Sequence, residues 1–398
     1  MAAARAVCSV AVGASLVGCA TVMPGAGVAG EADVRQFDIG PYPTQPPSHL
    51  PVLSGLGYAQ LEAARMADAV LSPHEVESRF NGGAIARAHT DAGSVTEYLA
   101  DAVVPVLQKY RFVLGFSAGA ADEVVPLKSA QTGTHGRDGV TVTLLRFPDA
   151  DAAKKAAAEL DAADFGVSPD NVAVQLPKYS GSFAHWRPSV PTLGSVTPHG
   201  DFVINVLADS RQVDKDILID RTQKYLDAEI PVLDQFRATP IGKFHSLQQD
   251  PDRILRRVLH DSGEIGPPDG QGEVVYTARG YQNYLLDQEG RTRVIRDAGV
   301  DRVAVTASAY VFRTRDDAAA RKFVIDSVNL GDPSRRRAVD PPDGVPDVAC
   351  VEDQSNTSTL RFRCFTAYHR YVGFVLSEQL WSAQQRIAAQ YAWMVNAQ

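Results

Sequence analysis

The chain has 398 residues, enough for two or three ordinary domains, and 45% of them are hydrophobic against 22% charged, the balance of a globular protein with a core. Its formal net charge is −8 and no long basic block occurs, so nucleic acid, or an anionic lipid surface held by charge alone, is excluded as the natural partner.

The N-terminus reads MAAARAVCSVAVGASLVGC, with one charge, Arg5, before an apolar stretch from Ala6 to Val17. That stretch is too short for a stable membrane-spanning helix. Its end, Leu16-Val17-Gly18-Cys19, resembles the bacterial lipobox, in which small residues precede a Cys that is acylated and becomes the first mature residue. Residues 1–18 are then a lipoprotein signal peptide and Cys19 the lipidated residue; an ordinary secretory signal is the alternative. Residues 19–50 carry Gly, Pro and Thr without apolar periodicity. The run Pro41-Tyr42-Pro43-Thr44-Gln45-Pro46-Pro47 favours an extended polyproline-type chain of about 3.1 Å per residue, which predicts a tether.

Tyr58 to Leu71 has Leu61, Ala64, Met66, Ala69 and Val70 at helical spacing and stops at Ser72-Pro73. Val95 to Tyr110 also reads as a helix, with Leu99, Val103, Val106 and Leu107 on one side, and Pro105 inside it predicts a kink or an early end. Next comes a β-rich run, Phe112-Val113-Leu114, followed by Gly115-Phe116-Ser117-Ala118-Gly119.

A pattern then occurs twice. LLRFPDADAAKKAAAEL (144–160) and VFRTRDDAAARKFVIDS (311–327) share Arg146 with Arg313, Asp149 with Asp316, and Lys155 with Lys322, at an offset of 167. Each reads as a strand, an acidic N-cap and a helix. Phe202 to Leu207 aligns with Tyr371 to Leu376 at an offset of 169, and each leads into a long amphipathic helix, Asp214 to Phe236 and Glu378 to Asn396. Order and spacing predict an internal duplication. The fold class is α+β: two related halves, each a mostly antiparallel sheet packed with helices. The expected domains are residues 51–245 and 246–398.

Cys8 falls in the leader, which leaves Cys350 and Cys364 in the mature chain beside Cys19. Two cysteines in an exported domain pair by default, and the enclosed Asp353-Gln354-Ser355-Asn356 reads as a turn, so a bond there clips a hairpin. A metal site is the alternative, but no His or Cys pair stands nearby at ligand spacing.

Five stretches and the leader carry a family resemblance: GPYPTQPPSHL, LEAARMADAVLSP, DPDRILRRVL, DAGVDRVAV and HRYVGFVLSEQLWSAQQRIAAQYAWMVNA. Together they resemble exported lipoproteins of actinobacteria, a family of unknown function in Nocardia, Rhodococcus and mycobacteria. The resemblance spans nearly the whole chain. It implies an envelope lipoprotein with two related α+β halves and paired Cys350 and Cys364, and it supplies no activity.

The chemistry-bearing candidates are few. GFSAG is a literal G-x-S-x-G, and as a nucleophile elbow it needs a strand, a sharp turn and a helix, then an acid and a His. Asp201 or Asp234 with His245 or His260 are the formal partners. Yet Pro126 stops any helix after Ala118, and the second half has no Gly-x-Ser at the matching place. The plainer expectation puts Ser117 in a turn after a strand, with Gly115 and Gly119 easing the bend. The nine histidines form no metal-binding pair. Asp149 with Asp151 and Asp316 with Asp317 are helix starts. Arg335-Arg336-Arg337 beside Pro341-Pro342 reads as a solvated loop, an anion site being the minority reading. Phe183, Trp186, Tyr276, Tyr281, Tyr284 and Trp381 would either pack a core or line a groove between the halves.

These readings converge on a lipid-anchored protein of the outer membrane face, without cofactor or metal, binding an envelope protein, glycan or lipid and no nucleic acid. The alternative is a serine esterase or lipase using Ser117.

Overall fold

Two antiparallel sheets, one from each half of the chain, take up the strand runs of the sequence. The structure, a computed structural model, describes residues 32–46, 48–50, 52–84, 86–123, 136–260, 273–306, 309–355 and 359–397. The leader, Cys19 and the first part of the tether lie outside the described residues. No helix among the described residues is long and apolar enough to cross a membrane.

The N-terminal half runs α1 (Gly55–Met66), α2 (Pro73–Val76), β1 (Gly82–Gly83), β2 (Arg87–His89), α3 (Val104–Lys109), β3 (Leu114–Ala121), β4 (Gly139–Arg146), α4 (Ala150–Phe165), β5 (Val172–Ala173), β6 (Phe183–Trp186), β7 (Thr192–His199), β8 (Phe202–Asp209) and α5 (Lys215–Leu233). The C-terminal half runs β9 (Val274–Thr277), α6 (Ala278–Gln282), α7 (Gln288–Asp297), β10 (Arg302–Val305), β11 (Ala309–Arg313), α8 (Asp317–Val328), β12 (Arg336–Val339), β13 (Val348–Asp353), β14 (Phe362–Tyr368), β15 (Tyr371–Ser377) and α9 (Leu380–Asn396).

The sheet orders show the duplication directly. The first sheet reads β1-β3-β4-β8-β7-β6-β5 and the second β9-β10-β11-β15-β14-β13-β12. Register agrees as well: Arg146 faces Phe202 across β4 and β8, and Arg313 faces Tyr371 across β11 and β15. Each helix after the repeated motif starts on the acid that the sequence marks. Asp149 accepts from Ala152 N and Asp316 from Ala319 N, both at 2.8 Å, caps worth about 1 kcal/mol each. Pro105 behaves differently from expectation. Residues 94–103 form two short 3-10 turns, and Pro105 sits in the first turn of α3, where its missing N–H costs nothing.

Cys350 and Cys364 face each other on β13 and β14, with Cα atoms 4.2 Å apart, and are joined by a disulfide. The tripeptide Arg335-Arg336-Arg337 is not a solvated loop: it closes a 3-10 turn and enters edge strand β12. There Arg336 donates to the carbonyls of Val328 and Leu330, and Arg337 pairs with Glu352 at 2.7 Å.

Among the described residues the halves meet at a packed seam. One buried apolar cluster runs from Leu61 on α1 through Phe116 on β3 to Tyr276, Tyr281 and Leu285, and on to Phe374 on β15. Asn283 donates to the carbonyls of Ala67 and Val70, Gly83 N to Leu286 O, and Gln288 N to Asn81 O. Tyr276, Tyr281 and Tyr284 therefore pack the seam instead of lining a cleft, with Phe116 against Tyr284 at 5.8 Å. Phe183 and Trp186 are half-buried on β6, and of the six aromatics singled out from sequence only Trp381 is widely exposed.

Residues 33–46 differ from the tether reading, because they dock on α9. Phe37 packs edge-on against Tyr391 at 5.8 Å, and Tyr42 Oη lies 3.0 Å from Ser382 Oγ with the Arg386 guanidinium over its ring. Gln385 donates to Asp38, and Asn396 to Thr44 O. Prolines keep the segment extended, as the sequence implies, and its aromatic side chains find an apolar helix face to cover.

Candidate functional site

Ser117 lies in the middle of β3, fully buried, with β2 on one side and β4 on the other. It is neither in a turn nor at a strand–helix elbow. Small residues dominate this strand because there is no room: a Cβ on Gly115 would stand 2.7 Å from Leu144 O. The Ser117 hydroxyl is 2.8 Å from His89 Nε2 and 2.8 Å from Thr143 Oγ1. Ser94 Oγ donates to Asp91 O and lies 3.2 Å from His89 Nδ1. This directs the His89 proton to Nδ1 and makes Nε2 the acceptor for Ser117. Burial holds the imidazole far below its usual range, at about 3, so it is neutral.

A serine donating to a neutral imidazole has the first contact of a hydrolase, but here both side chains are fully buried. No substrate carbonyl can reach a fully buried Oγ, and the N–H groups beside it belong to the strand ladder. The formal partners are elsewhere. Asp201 pairs with Arg146, Asp234 with His199, His260 with Glu273, and His245 sits in an exposed 3-10 turn. His89, upstream of the motif, was not marked by sequence order; only strand pairing of β2 with β3 brings it to Ser117. Among the described residues no group of three or more His, Cys, Asp or Glu is placed to hold a metal.

The surface of the N-terminal half carries an open groove of about 540 Å³ between the start of α4, the ends of β6 and β7, and α5. Ser182 and Thr197, hydroxyls 2.8 Å apart, are among its lining residues. Tyr179, His199, Ile230 and Lys154 line it as well. Each nearby acid has a partner: Asp227 accepts from Tyr179 at 2.7 Å and Lys178 at 2.6 Å, and Asp234 lies 2.7 Å from His199 Nε2. Those pairs hold the Asp227 carboxyl below its usual range, while burial and Asp227 push the Tyr179 phenol up.

The duplication explains why the groove is open. By strand register Thr197-Pro198-His199-Gly200 corresponds to Thr366-Ala367-Tyr368-His369, and Gly200 and His369 share the left-handed backbone, φ 58° and 48°. In the C-terminal half Tyr368 packs on Tyr391 at 5.6 Å, and His369 approaches Asp317 at 3.5 Å. There Tyr368, 7% exposed, stands at the place of His199 and the side chain of His369 at the place of Gly200, where an added Cβ would meet nothing within 4 Å.

A second polar cluster lies inside, near the seam. Glu229 on α5 accepts from Leu71 N at 2.8 Å and from Tyr225 Oη at 3.2 Å, and its other oxygen has no hydrogen-bond partner. Burial pushes its carboxyl up to about 8. The matching grip on α9 is made by an amide: Gln390 accepts from Leu259 N and donates to Arg257 O.

No curated protein matches this chain. The crystal structure of the extracellular domain of PknH from Mycobacterium tuberculosis is similar at 13% identity and a TM-score of 0.28, over 46% of this chain and 98% of that one, and so low a score carries no argument. Residues 54–249 match the N-terminal domain, and residues 254–397 the C-terminal domain, of a family described as a domain of unknown function, DUF7373. With both of its domains present in order, each on one of the two duplicated halves, the chain belongs to the DUF7373 family.

Proposed function

We propose that this chain is an exported envelope protein, anchored by lipid on Cys19, that acts by binding and not by catalysis, through the groove of its N-terminal half. One contrast carries the reading. The Ser–His pair is sealed inside a sheet, whereas the groove presents hydroxyls, an imidazole and a cation to solvent. Binding sites of this size are commonly concave, with an apolar wall and a few placed polar groups. The partner classes are an envelope protein, a glycan or a lipid. Against the alternative of a serine esterase or lipase stands the full burial of Ser117.

Two measurements test the proposal. An alkyne-palmitate feed of a host expressing the full chain should label the wild type and not Cys19→Ala, which should instead be released from the membrane. A fluorophosphonate probe on the folded protein should leave Ser117 unmodified. Labelling that disappears in Ser117→Ala would overturn the non-catalytic reading.

A further inference from the structure

The groove has an electrostatic sign as well as a shape. Both acids beside it are engaged, Asp227 by Lys178 and Tyr179 and Asp234 by His199. Lys154 is exposed and makes no ion pair among the described residues. Lys154 is the one permanently charged side chain among the residues that line the groove, so the charge the lining itself presents is positive although the chain carries −8 overall. Its lining supplies two hydroxyls, and Tyr179, Pro198 and Ile230 supply apolar surface. A sugar ring has the complementary surface, with hydroxyls at its rim and C–H groups on its face, and an acidic substituent adds the charge that Lys154 lacks a partner for.

Resting on the binding reading above, we propose that the groove binds an anionic sugar residue of a glycan. Lys154 meets the acidic group, Ser182 and Thr197 meet ring hydroxyls, and Tyr179 lies beside the C–H face. The volume admits about one or two such rings. At the corresponding place of the C-terminal half stand Tyr368, packed on Tyr391, and His369.

Gly181 provides a test that leaves the walls intact. A Cβ built there meets no atom within 4 Å, and its φ is outside the left-handed region, so Gly181→Trp adds bulk at the lining of the groove with no clash at the Cβ. Wild type, Gly181→Trp and Lys154→Glu would be titrated calorimetrically with a glucuronate-containing oligosaccharide and with a neutral gluco-oligosaccharide of the same length. Circular dichroism would establish that the variants fold. Expected are saturable binding of the uronate, about tenfold weaker binding of the neutral sugar, loss of at least about tenfold in Gly181→Trp, and a smaller, salt-sensitive loss in Lys154→Glu.

Absence of saturable uronate binding, equal affinity for the neutral sugar, or binding unchanged in folded Gly181→Trp overturns the proposal. An envelope extract passed over wild type and Gly181→Trp separates this failure from that of the broader reading. Retention of a protein or lipid by the wild type alone removes the sugar and keeps the groove as a binding site. Identical retention by both removes both.

Discussion

Replacing Glu229 with Gln should make the protein more stable at alkaline pH and change little at acid pH. In the fold Glu229 is acted on by Leu71 N, Tyr225, Arg279 and Glu75, and burial outweighs the favourable contacts, raising its carboxyl from 4.5 to about 8. The unfolded chain gives up this proton near pH 4.5 and the folded chain holds it until about pH 8. Folding therefore retains the proton within that window, and wild-type stability falls as pH rises through it, levelling off above. A displacement of that size corresponds to at most about 5 kcal/mol. Gln does not titrate, still accepts from Leu71 N, and reproduces the amide that Gln390 already supplies on α9. Guanidinium unfolding of both proteins at pH 5 and pH 8.5 measures the difference, in which other titrating groups cancel. The variant should gain several kcal/mol relative to wild type between these two values. Parallel pH profiles for the two proteins would refute the buried, protonated Glu229 on which the argument rests.

Ser117→Ala should cost about 1–3 kcal/mol of stability, because His89 Nε2 and Thr143 Oγ1 lose a buried partner, and thermal unfolding measures it. Reducing the Cys350–Cys364 bond, or replacing both residues with Ala, should destabilise by about 3 kcal/mol, seen as a lower unfolding midpoint in dithiothreitol. Phe37→Ala should cost about 1–2 kcal/mol and raise amide exchange in α9 more than in α5, since Phe37 covers Tyr391.

Much of this architecture could be read from the chain. The repeated strand, acidic cap and helix gave the starts of α4 and α8, because an Asp three residues before a buried Ala face is a local signal with a local cause. Three readings failed for the opposite reason. Glycines at 115 and 119 suggest a bend, yet they serve a crowded strand, and only the neighbouring strands make that necessary. Pro105 stops or starts a helix depending on which side the helix lies. The prolines at 41–46 dictate an extended chain correctly, and they say nothing of the α9 surface some 340 residues away that receives it. The groove was invisible for a related reason. Its residues come from four separate stretches, and its opening depends on small residues where the second half has large ones.

The docking of residues 33–46 on α9 sets a path for mechanical load. Force that enters the described chain at its N-terminal end meets Phe37 and Asp38 on the last helix before it reaches α1. Tension is thus taken up by the C-terminal half, in contacts spread over about 21 Å of helix between Ser382 and Asn396. The strands that shape the groove lie downstream of that clamp, so a tugged chain keeps the groove unstrained until the clamp lets go.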